Sequence, residues 1–413
     1  MAAEGRAPVT AVAAVAASAS PAHDRAAGRR LTALLTCAMA FSMLQLFLLG
    51  ALGPRLVVEL DVSPAVLGLT TTIGFGTAAV LSPVGGRIVD RIGPRRSLAA
   101  LLLLSAVALA LIGAAPGTGP LLAAVALGGV PQALANPATN KSVLVAVPTD
   151  RRAAVTGFKQ SGVQWGAFAA GLPLAVLAGG LGWRGAVWTA SAAALLAALW
   201  ALRALPADPA PPSPPARTSF LPHGMVAWLA LFSLFLGAGI ACVNTYLALY
   251  GVQRLGMGPT PAGALVAVLG IAGIAGRVGW SKAARPGRAE WMPGALACGA
   301  LGAAALLVAA LRAAPLVWAG AVAIGVFAVA GNAVSMVLVV QRAAPGRAGQ
   351  DSALVAAGFF TGFALGPPLF GPFAQSGRYG SGWTLVAAEF AAAAAVALLW
   401  AVRDRRTRPR RTA

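Results

Sequence analysis

Acidic residues are scarce in this chain: 11 Asp and Glu stand against 31 Lys and Arg, and charged residues of all kinds make up only 10% of the 413. The resulting net charge of +20 would point to nucleic acid in a soluble protein, so the placement of the basic residues has to decide. Cysteine is scarce too. Cys37, Cys242 and Cys298 fall in three different apolar runs, where they are read as small packed hydrophobes, with no disulfide or metal site implied. The two histidines, His23 and His223, lie in a tail and at a linker end. No converging His, Ser, Cys or carboxylate cluster is visible, so the chain is not read as an enzyme and no cofactor is expected.

Hydrophobic residues, by contrast, make up 58% of the chain, and they come in runs near the ~20 residues an α-helix needs to cross a bilayer. Twelve such spans are expected, at about 31–52, 65–84, 98–115, 121–144, 153–177, 184–202, 225–250, 261–281, 291–311, 315–340, 352–374 and 383–402. With the N-terminus inside, all basic residues but Arg55, Arg184, Arg254, Arg312 and Arg378 fall on the cytoplasmic side. That bias is the positive-inside rule, and it places both termini in the cytoplasm of a multi-pass cell-membrane protein. It also removes the case for nucleic acid, because no soluble basic domain is left to bind it. The alanine-based stretch "AVAAVAASAS" precedes its basic cluster instead of following it, which argues against a signal peptide.

The proline-rich segment "PADPAPPSPPARTS", Pro206 to Ser219, cannot be a membrane helix and divides the chain. The expected organisation is a disordered cytoplasmic tail (1–30), a six-helix half (31–203), a cytoplasmic linker (204–222), a second six-helix half (223–403) and a basic tail (404–413). The halves look alike. "LWALR" closes the first and "LWAVR" the second, Gly182-Trp183 and Gly382-Trp383 precede spans six and twelve, and Gly129 and Asn136 match Gly325 and Asn332. Six spans separate the copies, so both run in the same direction. Trp183 and Trp383 are then expected at the outer membrane interface, Trp200 and Trp400 at the inner one.

The most specific stretch is "GGRIVDRIGPRRS", Gly85 to Ser97. Glycine allows close helix approach, an aspartate can pair with arginine or sit at a helix start, and a further glycine supports a tight turn. Gly86, Asp90, Arg91, Gly93, Arg95 and Arg96 in this order resemble the signature of the major facilitator superfamily, with Pro94 departing from it by shifting the basic pair one position. The resemblance extends over essentially residues 31–403. It implies an all-α polytopic membrane protein of twelve transmembrane helices in two parallel six-helix repeats. It also implies that this loop is a conformational latch, with Asp90 contacting the start of span eleven. The matching loop of the second half, "GRVGWSKAARPGR", has Ala283 where the aspartate would fall, so the latch is expected mainly in the first half.

The same resemblance implies that spans one, four, seven and ten surround a central cavity. Span four carries Gln132, Asn136 and Asn140, spaced i, i+4, i+8 and hence on one helical face. Gln45 of span one, Asn244 of span seven and Asn332 of span ten join them as substrate-cavity candidates, interhelical hydrogen bonding being the alternative for each. Span five adds Gln160 and Gln164 on one face, with Gly162 and Gly166 as a packing seam. Its Lys159 has three open roles: an anchor snorkelling to the headgroups, a cation that attracts an anionic solute, or an ion pair with Asp150 or Asp351. Glu389 of span twelve is read as structural or interfacial. The function implied is secondary active transport of a small polar or anionic organic solute by alternating access, with a proton as the candidate coupling ion, in a monomer. Efflux of a drug or secondary metabolite is the alternative on the same fold.

Overall fold

A computed structural model of the chain describes residues 21–205, 222, 224–284, 289–342 and 348–407. Among them every regular element is helical. In order these are α1 (Pro21–Ala51), the short α2 (Gly53–Glu59), α3 (Pro64–Ile92), α4 (Pro94–Ala114), α5 (Thr118–Ala146), α6 (Thr149–Gly171), α7 (Pro173–Ala204), α8 (Met225–Leu255), α9 (Pro259–Ala283), α10 (Met292–Ala309), α11 (Leu316–Ala323), α12 (Ala330–Arg342), α13 (Ala348–Gln375) and α14 (Tyr379–Thr407). A π-helical turn, Ile324–Val329, joins α11 to α12. Local chemistry sets many of the ends. Proline opens α3, α4, α7 and α9, where its missing N–H would have no partner anyway. Gly256 closes α8 in the left-handed conformation. α1 begins inside the stretch 1–30 expected as a tail, and most of the linker, 206–221, lies outside the described residues.

Among the described residues eleven helical stretches are long and apolar enough to cross a bilayer, one fewer than the twelve spans expected. The difference lies in the fifth span. α6 is diluted by Lys159, Gln160, Gln164 and four glycines, and falls outside that count. The next helix, α7, holds a non-helical Gly182 (φ 72°), and two registers show the chain reversing between them. α6 runs parallel to α1, with Gly162 on Thr36 and Gly166 on Ala40. The part of α7 beyond Gly182 runs antiparallel to α4, with Arg184 on Gly113, Ser191 on Ala106 and Arg95 on Leu202.

Glycine seams show the two halves to be copies. A Cβ on Gly162 or Gly166 would meet Thr36 O at 2.2 Å or Ala40 O at 2.9 Å, and one on Gly358 or Gly362 would meet Ala230 O at 2.3 Å or Leu234 O at 2.0 Å. So α6 packs on α1 as α13 packs on α8, with backbones in near contact, as small residues permit. Gly129 abuts Gly74 O as Gly325 abuts Gly273 N. In both comparisons the partners in α6 and α13, or in the fourth and tenth spans, are 196 residues apart. Two of the paired tryptophans are enclosed by protein instead of facing lipid. Trp183 and Trp383 are buried, Trp383 against Phe370 and Tyr250 at 4.8 and 5.3 Å. Both belong to the main apolar core, and each lies shortly after a glycine of positive φ, Gly182 or Gly377.

The bundle has a linker end, holding the starts of α1 and α8 and the finish of α14, and a far end. The halves meet toward the far end. Thr72 Oγ1 donates to Ala364 O at 2.7 Å, Thr71 and Thr245 share a 2.9 Å hydroxyl bond, and Phe75 stacks obliquely on Phe363 at 4.5 Å. Gly50 lies on the backbone of Asn244, and Gly171 on Gly263 and Ala267. Toward the linker end α3 instead leaves Val80, Val84 and Ile88 exposed.

Candidate functional site

The polar stripe of α5 is split by burial. Gln132 is buried and neither of its amide atoms has a partner among the described residues. With Gln45, Thr70, Thr71, Gly74, Phe75 and Val125 it lines a cavity of about 10 Å³, about the volume of one water. Gln45 fits there because position 128 is glycine: a Cβ would stand 1.6 Å from its Oε1. One turn on, Asn136 Oδ1 accepts from Gln160 Nε2 at 3.1 Å. Asn140, a turn further still, is exposed and accepts from Lys159 Nζ at 2.6 Å.

Lys159 is the centre of this arrangement. It lies ten residues into α6, about 15 Å along the helix axis, and its side chain has no exposed surface. Nζ donates to Thr139 Oγ1 and Asn140 Oδ1, both at 2.6 Å; Thr139 in turn donates to Ala135 O at 2.6 Å. A fully covered ammonium held by α5 is not extended toward headgroups, so snorkelling does not describe it. Among the described residues it has no carboxylate partner either, and the Asp150 side chain lies outside them. Asp351 is buried at the start of α13, in the other half. The repeat-related position is Val355, buried in an apolar cluster with Val334 and Leu338. The fold therefore accommodates a hydrocarbon at this place, and a buried charge there is an addition to the architecture.

A second cation faces the same turn of α6 from the other half. Arg277 of α9 donates through Nη1 to Gln160 O at a long 3.4 Å, and its Nε has no partner. Counting basic residues assigned Arg277 to a topogenic cluster with Lys282, Arg285 and Arg288. The structure places it within the helix, six residues before its end. The one signal available in the sequence was its separation from that cluster by an apolar turn.

The remaining candidates are spread more widely. Gln164 is buried against Gly273 of α9 with Oε1 unpartnered, so it belongs to the interface between halves and does not face α5. Asn244 is buried with its Oδ1 unpartnered, and half-buried Asn332 likewise leaves Oδ1 unpartnered. Lys159, Asn140, Gln160, Asn136 and Arg277 are thus brought together, Gln45 and Gln132 form a second group, and Gln164, Asn244 and Asn332 stand apart from both. Amide atoms without intramolecular partners are costly in a membrane interior, so each of these is a candidate for a bound water or solute.

The expected latch is resolved only in part. Gly93 (φ 85°) ends α3 and caps α4, with Pro94 in the first turn, so the proline that departs from the signature is a helix starter. Arg95 donates to Leu202 O of α7, within its own half, and Lys141 Nζ donates to Val89 O at 3.3 Å. Arg91 and Arg96 are exposed. The surroundings of Gly86 and the side chain of Asp90 lie outside what the structure describes, and with them the expected contact to span eleven.

A sequence profile described as Major Facilitator Superfamily matches residues 35–355. The chain belongs to the major facilitator superfamily. No curated protein sequence matches it, but solved structures of this superfamily fold do. A bacterial homolog of the human lysosomal transporter Spinster, inward-facing and occupied, superposes with a TM-score of 0.75 at 18% identity, covering 96% of this chain and all of its own. The same homolog inward-facing and unoccupied gives 0.74 at 16%, over 95% of this chain and 100% of its own. The nucleoside transporter NupG gives 0.74 at 13%, over 90% and 99%. These likenesses establish the fold, and membership of the superfamily makes the chain an integral membrane protein of a transporter family.

Proposed function

We propose that this superfamily member is a secondary active transporter of a small organic anion, moved across the cell membrane by alternating access. The single observation that carries the reading is the fully buried Lys159 ammonium, hydrogen-bonded only to neutral oxygens among the described residues, where the other half has a valine. An unpaired buried cation is expensive, and an arriving anion that pairs with it recovers much of that cost. Arg277, reaching Gln160 from the second half, supplies a charge on the opposite wall. An anion held by both would favour their approach, which gives the solute a different affinity for the two states of the bundle. Gln160 and Asn136 then orient its polar groups. Drug efflux remains the alternative use of the fold, and no feature of the site favours it over an anion.

With the basic linker end taken as cytoplasmic, the contacts at the far end and the exposed Val80, Val84 and Ile88 support an inward-facing reading of this state. The solute would enter or leave from the cytoplasmic side in this state, with both termini on that side and the chain working as a monomer. A thermal-shift screen of purified protein with carboxylates, organic phosphates, neutral nucleosides and sugars, and amines tests the proposal. Stabilisation by an anionic class, lost in Lys159→Ala, is expected. Stabilisation confined to neutral or cationic solutes, or undiminished in Lys159→Ala, would overturn it.

A further inference from the structure

Glu389 is the one acid near the middle of the long membrane helix α14, ten residues and about 15 Å from its start. Its side chain is buried within the protein, which sets aside the interfacial alternative of the structural or interfacial role read from the sequence. Its only hydrogen bond among the described residues is from Cys242 of α8, Sγ to Oε2 at 3.9 Å, and no lysine, arginine or histidine pairs with it. The helices packed around it offer little else that is charged or titratable. Of α8, Tyr246 lies a turn beyond Cys242 and is committed to Pro367 O. On α10 the only titratable group is Cys298, which is exposed. On α13 the stretch from Val355 to Gln375 has none, with Asp351 before its start. On α14 itself Tyr379 is ten residues away, bonded to Gln253, and Asp404 is at the other end, bonded to Arg342.

The segment of α8 that touches Glu389 also closes the far end. Two and three residues past Cys242, Asn244 presents its carbonyl to Gly50 of α1, and Thr245 bonds Thr71 of α3. Tyr246 packs on Gly68 from the first half while bonding α13. A change in the charge behind this segment therefore acts one helix thickness from the contacts that hold the two halves together.

We propose that Glu389 is a proton-binding site whose occupancy sets the far-end gate. An unpaired carboxylate buried in a membrane protein is costly, and a proton removes the cost. In the far-end-closed state the carboxyl holds its proton. When the far end opens, water reaches the α8–α14 contact, the O–H bond breaks, the proton leaves to the aqueous phase and the carboxylate remains hydrated. Reclosing requires a proton from that aqueous phase to return to the same oxygen, so closure of the far end is coupled to uptake of one proton without any further reactant. The inference rests on the transporter reading but on no particular solute.

Two measurements on the full-length protein in nanodiscs test it without a substrate. Infrared difference spectra across a pH titration should show a protonated-carboxyl C=O band that vanishes in Glu389→Gln and shifts in Cys242→Ala, which removes only the thiol donor. Spin-label distances between Glu59→Cys and Ser376→Cys, with Cys37 and Cys298 replaced by alanine and buried Cys242 retained, should lengthen as pH rises. In Glu389→Gln they should stay short at every pH. A carboxyl band unaffected by Glu389→Gln, or a pH-dependent distance that survives it, overturns the proposal. Should Glu389→Gln fail to fold, the Cys242→Ala band shift decides alone, and its absence counts against the site. Lack of solute flux would refute the transport reading while leaving both readouts intact.

Discussion

Replacing Lys159 by valine should leave the fold standing and remove the solute. The substitution deletes two hydrogen bonds from an ammonium, each worth about 1.5–3 kcal/mol, but it also deletes the penalty of burying that ammonium, several kcal/mol in its own right. The acceptors left behind are not stranded: Asn140 is exposed, and Thr139 still donates to Ala135 O. The second half carries Val355 in the equivalent place, packed with Val334 and Leu338. The opposing terms leave a net change within about 2 kcal/mol in unfolding free energy, and Lys159→Met, closer in length, should limit any cavity. For an anion that pairs with the buried charge, the loss should be about 2–5 kcal/mol, at least about 30-fold in affinity. Thermal unfolding followed by tryptophan fluorescence, with and without a stabilising anion, reads both quantities in one assay. Unfolding of both variants would make Lys159 a structural residue, and an affinity within about twofold of wild type would remove it from the site; either result refutes the reasoning.

Other consequences follow from particular contacts. Gly162→Ala forces a Cβ to 2.2 Å from Thr36 O and should cost about 1–3 kcal/mol, whereas Gly157→Ala, with nothing within 4 Å, should change stability by no more than about 1 kcal/mol; a common shift in thermal denaturation would discredit the seam. Thr72→Val removes a bond across the far end worth about 0.6 kcal/mol in a membrane, and should move the closed-to-open ratio roughly threefold, read by spin-label distances; an unchanged ratio counts against far-end closure by these contacts. Arg342→Met takes the guanidinium from Glu290 and Asp404, bound at 2.6 and 3.0 Å, and should destabilise the second half by about 1–3 kcal/mol. Denaturation coincident with wild type would show that pairing to be dispensable.

Much of the architecture was legible because bilayer physics writes it into the sequence: apolar runs of fixed length, basic loops on one side, a proline-rich break between two copies. The seam Gly162–Gly166 was visible as spacing, since close helix approach has few chemical solutions, whereas Gly129 and Gly325 were legible only as matching positions of the two copies. The twelve-span expectation met its difficulty at α6, where Lys159, Gln160, Gln164 and four glycines dilute the very signal used to find a span. Spacing put Gln132, Asn136 and Asn140 on one face but could not say that burial changes along that face, so one is enclosed and another open. Arg277 was missed because a basic residue near a basic loop looks topogenic until the helix is seen to continue past it. The role of Lys159 could not be read at all from its position in α6, because snorkelling and burial differ only in what α1 and α5 leave uncovered.

The central claim, a transport route selective for organic anions through Lys159, is tested most directly by flux into proteoliposomes under an imposed pH gradient and membrane potential. Radiolabelled representatives of the anion class picked out by thermal shift should accumulate with wild-type protein, be competed by other members of that class, and fail to accumulate with Lys159→Val. Accumulation of neutral solutes alone, or equal anion flux with and without the lysine, would contradict the account.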